Sequence, residues 1–163
     1  MKDTKIQKTN VMRVLDQKKV SYDYYTYPHN NEAVDGLEVS KLIGVEEEKV
    51  YKTLVTRSSI NKNNYYVFVI PVASQLDLKK AAKSVKEKAV EMVHVKDLLQ
   101  ITGYVRGGCS PIGMKKFFPT TFNNTINNIT EIVFSAGKIG FQVKIQVKDI
   151  SNIIKYNIDD IIE

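Results

Sequence analysis

Apolar positions along the 163-residue chain alternate between helical and strand periods, and this alternation predicts its elements. In IQKTNVMRVLDQKKV, residues 6–20, Val11, Val14, Leu15 and Lys18 recur at helical spacing with polar residues between them, which predicts a first amphipathic helix. SYDYYTY at 21–27 is aromatic and β-prone and runs into Pro28, which predicts a strand. A polar loop follows at 29–36, and LEVSKLIG at 37–44 predicts a short helix capped by Gly44.

Two further strands, KVYKTLVTR (49–57) and YYVFVIPV (65–72), flank the turn-like SSINKNN and predict a hairpin. DLKKAAKSVKEK (77–88) predicts a helix begun by Asp77, with Lys79, Lys80, Lys83 and Lys86 forming a basic face. VEMVH (90–94) predicts a short strand and VKDLLQITG (95–103) a helix ended by Gly103. EIVFSAG (131–137) and GFQVKIQV (140–147) predict strands around a glycine turn, and VKDISNIIK (147–155) a last helix. Frequent hairpins, irregular alternation and the absence of a repeat or linker predict one mixed α/β domain over 1–163, its sheet more antiparallel than doubly wound.

Charge and cysteine usage narrow the function. A formal charge of +6 favours an anionic partner. One cysteine excludes an internal disulfide and fits a reducing cytoplasm, and two widely separated histidines give no zinc spacing. No apolar run approaches the ~20 residues of a membrane span. The N-terminal MKDTKIQKTN has no signal-peptide core, so a cytoplasmic location without membrane attachment is expected.

Three features could carry chemistry. Strand period puts Lys52 on the same face as Val50 and Leu54. There it either reaches water along its aliphatic stem or stands at a cavity wall to meet a phosphate or a developing oxyanion. Cys109 and Ser110 would need a base, for which His29 and His94 are the candidates, and GCS is not a nucleophile-elbow pattern. In the loop 103–116, Gly107 and Gly108 can take positive φ and aim backbone N–H groups at an anion, with Arg106, Lys115 and Lys116 adding charge.

Four blocks in order, YKTL (51–54), IPVASQLDLKKAAK (70–83), TGYVRGGCSPIGMKK (102–116) and VFSAGKIGFQVKI (133–145), carry a resemblance. Together they resemble the YbaK/EbsC family of aminoacyl-tRNA deacylases, which is related to the editing domain of bacterial prolyl-tRNA synthetase. The match runs from about Tyr22 to the C-terminus.

The resemblance implies a curved, mostly antiparallel mixed sheet flanked by helices. It implies hydrolysis, in trans, of the ester in mischarged tRNA, most often Cys-tRNA(Pro), with no cofactor and no metal. Its partners would be the aminoacylated 3′ end of tRNA and prolyl-tRNA synthetase. Lys52 matches the essential lysine, Tyr27 a pocket tyrosine, Gly107 and Gly108 the glycine pair, and Ser135 the serine before the second glycine turn. Gln142 stands in the pocket where some deacylases have aspartate, and SAG replaces SGG at 135–137. Cys109 has no required counterpart, and the substrate's own thiol is expected to attack the ester. Lys79, Lys80, Lys83, Arg106, Lys115 and Lys116 become candidates for tRNA contact. The alternative is a catalytically idle relative that binds tRNA, or regulates, through the same pocket.

Overall fold

The computed structural model describes residues 7–163, so the leading MKDTKI, with the expected helix start at Ile6, lies outside the described residues. Helix α1 (Asn10–Gln17) begins where the Thr9 hydroxyl accepts a hydrogen bond from the Met12 N–H at 3.2 Å, and it buries Val11, Met12 and Leu15. Strand β1 (Asp23–Thr26) follows. Helix α2 (Gly36–Ile43) is capped by Asp35 at its start and by Gly44, at φ 70°, at its end. β2 (Tyr51–Ser58) and β3 (Tyr65–Pro71) form the expected antiparallel hairpin.

Helix α3 (Leu78–Ser84) starts at Asp77, whose carboxylate accepts from the Lys79 and Lys80 N–H groups, each at 3.0 Å. It stops four residues short of the expected end, because Lys86 takes a positive φ and Glu87 N–H turns back to the Ala82 carbonyl at 2.9 Å. β4 (Val90–Met92) and α4 (Val95–Thr102, ended by Gly103 at φ 87°) lie where expected. So do β6 (Glu131–Ser135) and β7 (Phe141–Gln146).

Two strands escape the hydrophobic pattern: β5 (Thr120–Asn123) and β8 (Asn157–Asp159). The expected last helix is instead a 3-10 turn over Val147–Asn152. Asp149, Ser151 and Asn152 are weak α-helix formers, and Ile153 N–H bonds the Ile150 carbonyl at i−3.

The strands form two sheets. The smaller, β1-β7-β6, is antiparallel throughout; the larger, β4-β2-β3-β5-β8, is antiparallel on one side and parallel where β5 and β8 join. The mixed α/β, largely antiparallel class therefore holds. Val55, Val67 and Phe122 of the larger sheet share one core with Ile132, Phe134 and Val143 of the smaller, and α1 packs into the same core. A parallel bridge, Val50 to Val133, ties the sheets at one end. Two residues beyond it on the two strands stand Lys52 and Ser135. Among the described residues, no helix is long and apolar enough to cross a membrane.

Candidate active site

A cavity of roughly 490 Å3 opens at this junction, and it brings together Tyr27, Lys52, Arg106, Gly107, Ser135 and Gln142 from five separate stretches of chain. Lys52 lies on β2 opposite Ile70 and is half-buried. Burial pulls its ammonium below the usual lysine range, and the Asp35 carboxylate partly offsets that pull. No carboxylate among the described residues comes within 4.0 Å of it. The lysine is thus at the cavity wall rather than snorkelling to water, and its charge is free for a ligand.

Asp35 also lines the cavity, and the sequence reading missed it. Its carboxylate accepts from Leu37 N–H at 3.2 Å as the cap of α2, so the same geometry that starts the helix sets a negative charge near Lys52. An aspartate just before a helical pattern signals a cap, and nothing local adds that it faces a lysine across a pocket.

Tyr27 is buried at the end of β1, its N–H bonded to the Gly140 carbonyl at 3.0 Å and its ring edge-on to His29. Ser135 and Gln142 face each other across the β6–β7 ladder. The Ser135 hydroxyl accepts from Gly137 N–H at 3.1 Å, which leaves its proton available to donate. Gln142 is 6% exposed, and its Oε1 has no hydrogen-bond partner; nor does the buried Thr53 Oγ1 on the same lining. Leaving a buried polar atom unpaired costs about 1–3 kcal/mol, so these two orphans mark a place where a ligand's polar groups belong.

The glycine pair divides. Gly107 has φ 86° and lines the cavity, where a Cβ would stand 2.8 Å from the Ala33 Cα. Gly108 has no positive φ, and its N–H is committed to the Val105 carbonyl at 2.9 Å. It does not line the cavity, so the expectation that both glycines aim N–H groups at an anion is corrected. Gly108 is instead a packing glycine, since a Cβ there would lie 3.2 Å from the backbone of Lys138 and Ile139. Asn10 of α1 fixes the rest of the loop by bonding the Gly113 carbonyl at 2.9 Å and the Tyr104 hydroxyl at 3.1 Å.

Cys109 reaches the lining, but burial pushes its thiol up to about 12, so it stays protonated at neutral pH. Ser110 is fully buried and accepts from Ile112 N–H, while neither His29 nor His94 lines the cavity. No nucleophile–base pair among the described residues lines the cavity. Among the described residues, no three His, Cys, Asp or Glu side chains are grouped to hold a metal ion.

Of the basic candidates, only Arg106 lines the cavity; it is exposed at the mouth. Lys79, Lys80 and Lys83 are carried by α3, which packs on Phe68 and Ile70, and none of the three lines the cavity. Lys80 is bonded to Asp160 at 3.1 Å and to the Ile162 carbonyl at 2.8 Å, partners with which a phosphate would compete. Lys115 lays its stem over Gly103 and reaches the Gln100 carbonyl at 3.4 Å, and Lys116 is exposed.

Residues 31–153 match the aminoacyl-tRNA editing domain family. Over 139 residues the chain is 46% identical to a protein of Enterococcus faecalis (strain V583) provisionally named Cys-tRNA(Pro)/Cys-tRNA(Cys) deacylase EbsC, covering 85% of this chain and 84% of that one. Among solved structures, the fold is shared with a provisional trans-editing enzyme for prolyl-tRNA synthetase (TM-score 0.80, 18% identity, 94% of this chain and 95% of that one). It is shared equally with a hypothetical protein, APE2540 (TM-score 0.82, 16% identity, 94% of this chain and 99% of that one).

Proposed function

The chain belongs to the aminoacyl-tRNA editing domain family, and on that premise we propose that it clears mischarged tRNA in trans, with cysteinyl-tRNA(Pro) as its leading substrate. One observation carries the reading: a half-buried Lys52, with no carboxylate among the described residues within 4.0 Å, faces a cavity whose lining pairs no nucleophile with a base. Such a site binds and polarises an ester but cannot attack it.

The substrate supplies the attack. The cysteinyl thiol loses its proton, its sulfur forms a bond to the ester carbonyl carbon, and the bond to the ribose oxygen breaks. The ribose hydroxyl leaves with a proton, and water then opens the thiolactone to free cysteine. Holding thiol and carbonyl together supplies effective molarity. The Lys52 ammonium and the Ser135 hydroxyl proton are the donors for the oxyanion that forms on the way. The unpartnered Gln142 Oε1 is an acceptor in a place suited to the substrate's amino group.

Partnership with prolyl-tRNA synthetase and action in the cytoplasm belong to the same proposal. The first rests on the description of the structural neighbour as a trans-editing enzyme for prolyl-tRNA synthetase, the second on the single cysteine. A deacylation screen over a panel of mischarged tRNAs tests the reading: cysteinyl esters should be released far above the spontaneous rate. Tight binding of every tRNA in the panel without release of any amino acid would instead favour the idle relative.

A further inference from the structure

Beyond the contact of Gly107 with Ala33 lies a second hollow of roughly 560 Å3, between α4, the loop before α2 and the β6–β7 turn. Val95 and Leu99, one helical turn apart on α4, and Val105 just past its cap are 58%, 54% and 45% exposed. Ile139 stands among its lining residues from the β6–β7 turn, and Asn31 and Glu32 give it a polar edge. Arg106 and Ala33 line both hollows, so the two are consecutive compartments of one trough. Several exposed aliphatic side chains gathered in one place mark a contact surface.

We infer that this second hollow receives the nucleotide preceding the terminal adenosine, the cytidine of the CCA end that all tRNAs share. The inference rests on the deacylase reading of the first cavity. If the aminoacyl end of the RNA enters that cavity, one phosphodiester link separates it from the next nucleoside. The two compartments share the Arg106 guanidinium as a wall, and that is where the linking phosphate would pass. The aliphatic faces of Leu99 and Val95 offer an apolar platform to a base. The exocyclic amine of cytosine is a donor that the Glu32 carboxylate or the Asn31 amide oxygen can accept. Continuity with the cavity mouth, and a cation at the joint, favour the substrate's own RNA over a protein as occupant.

The test uses an uncharged hairpin RNA ending in CCA and the same RNA with an abasic penultimate nucleotide, with binding read by fluorescence anisotropy. Wild-type protein should bind the intact RNA more tightly. Leu99→Asp should weaken that binding by about 10-fold, the scale of one lost base contact, and should change binding of the abasic RNA by less than ~2-fold. Val105→Asp, on the other wall, should repeat the pattern, and both residues are exposed enough for the fold to survive. Equal wild-type affinity for the two RNAs, or equal weakening on both, overturns the inference. So does a Leu99→Asp protein that keeps its RNA affinity but loses capture of prolyl-tRNA synthetase, which would make the hollow a protein interface. Because the RNA is uncharged, a protein that shows Leu99-dependent binding yet cleaves no ester supports this inference while refuting the deacylase reading.

Discussion

A Cβ built on Gly107 would stand 2.8 Å from the Ala33 Cα and 2.9 Å from its Cβ, so the two loops that wall the cavity touch where neither carries more than a methyl. Gly107 also sits at φ 86°, a backbone state costing about 1–3 kcal/mol for a residue with a side chain. Gly107→Ala should therefore lower the melting temperature and push the 28–35 loop outward. A wall displaced by ~1 Å can cost up to about 10²-fold in rate. Gly108→Ala meets backbone at 3.2 Å without a φ penalty and should be milder on both readouts. Thermal melts and deacylation rates on the two variants check the order; a milder Gly107→Ala would refute it.

Lys52→Ala should leave a folded protein and remove ~10²–10³ of the rate, the usual worth of one electrostatic contact to a developing oxyanion. Stability should not fall with the charge. Because burial depresses the folded-state pKa, the unfolded chain binds more protons between that lowered value and the ordinary 10.5, and stability rises with pH across that window. At neutral pH the buried ammonium is a cost of folding, which the alanine variant sheds. Circular dichroism and kcat/KM measured together decide the point, and wild-type turnover in a folded variant would remove Lys52 from the site.

The same group sets an alkaline limit. Activity should rise as the substrate thiol ionises and fall as Lys52 loses its proton, below the pH at which an ordinary lysine would. Asp35 raises the Lys52 pKa, so Asp35→Asn should move the falling limb to lower pH while the rising limb stays in place. Asparagine caps helices as well as aspartate does, so α2 survives the change. A pH–rate profile that shifts upward, or not at all, counts against the pairing.

What the sequence made legible were features with a local physical cause. Asp77 begins a helix, and Gly44 and Gly103 end helices, where capping chemistry says they should, and the β2–β3 hairpin follows from two apolar runs around a polar turn. β5 and β8 stayed hidden because four and three residues are too few to show a period, and their parallel partners lie far away in sequence. The site was legible where one residue broke its surroundings, as Lys52 does in an apolar strand. Asp35 was not, because its pocket role depends on Lys52, a residue of a strand in another part of the chain that no local spacing encodes. Gly108 was misread for a related reason: a glycine needed for close approach and one needed for positive φ are the same letter.

Cys109→Ala should keep most of the activity and cost about 1 kcal/mol or less of stability, since a small buried side chain is exchanged for a slightly smaller one. With its thiol pushed up to about 12, Cys109 should also resist iodoacetamide at neutral pH. A loss of rate as deep as that of Lys52→Ala, in a protein of normal stability, would return the nucleophile to this residue.

The sharpest test concerns which esters the site can open. Its cavity contains a cation, a hydroxyl donor and unpaired acceptors, but no thiolate, no histidine on its lining and no nucleophile–base pair. Groups of this kind stabilise charge that another group creates. A cysteinyl ester brings a thiol of which a few per cent is ionised near pH 7, already tethered to the carbonyl it attacks. A seryl ester differs by one atom, but its hydroxyl is far less acidic and yields almost no alkoxide. On the same tRNA, cysteinyl ester should therefore be cleared at least ~10²-fold faster than seryl ester, the difference lying in kcat rather than KM because both fill the cavity alike. Alkylating the substrate thiol should abolish turnover while the tRNA still binds. Seryl or alanyl esters released as fast as cysteinyl ones would exclude attack by the substrate. An activated water would then be required, and the carboxamide of Gln142, the hydroxyl of Tyr27 and the carboxylate of Asp35, all on the lining, would be the first groups to test for positioning it.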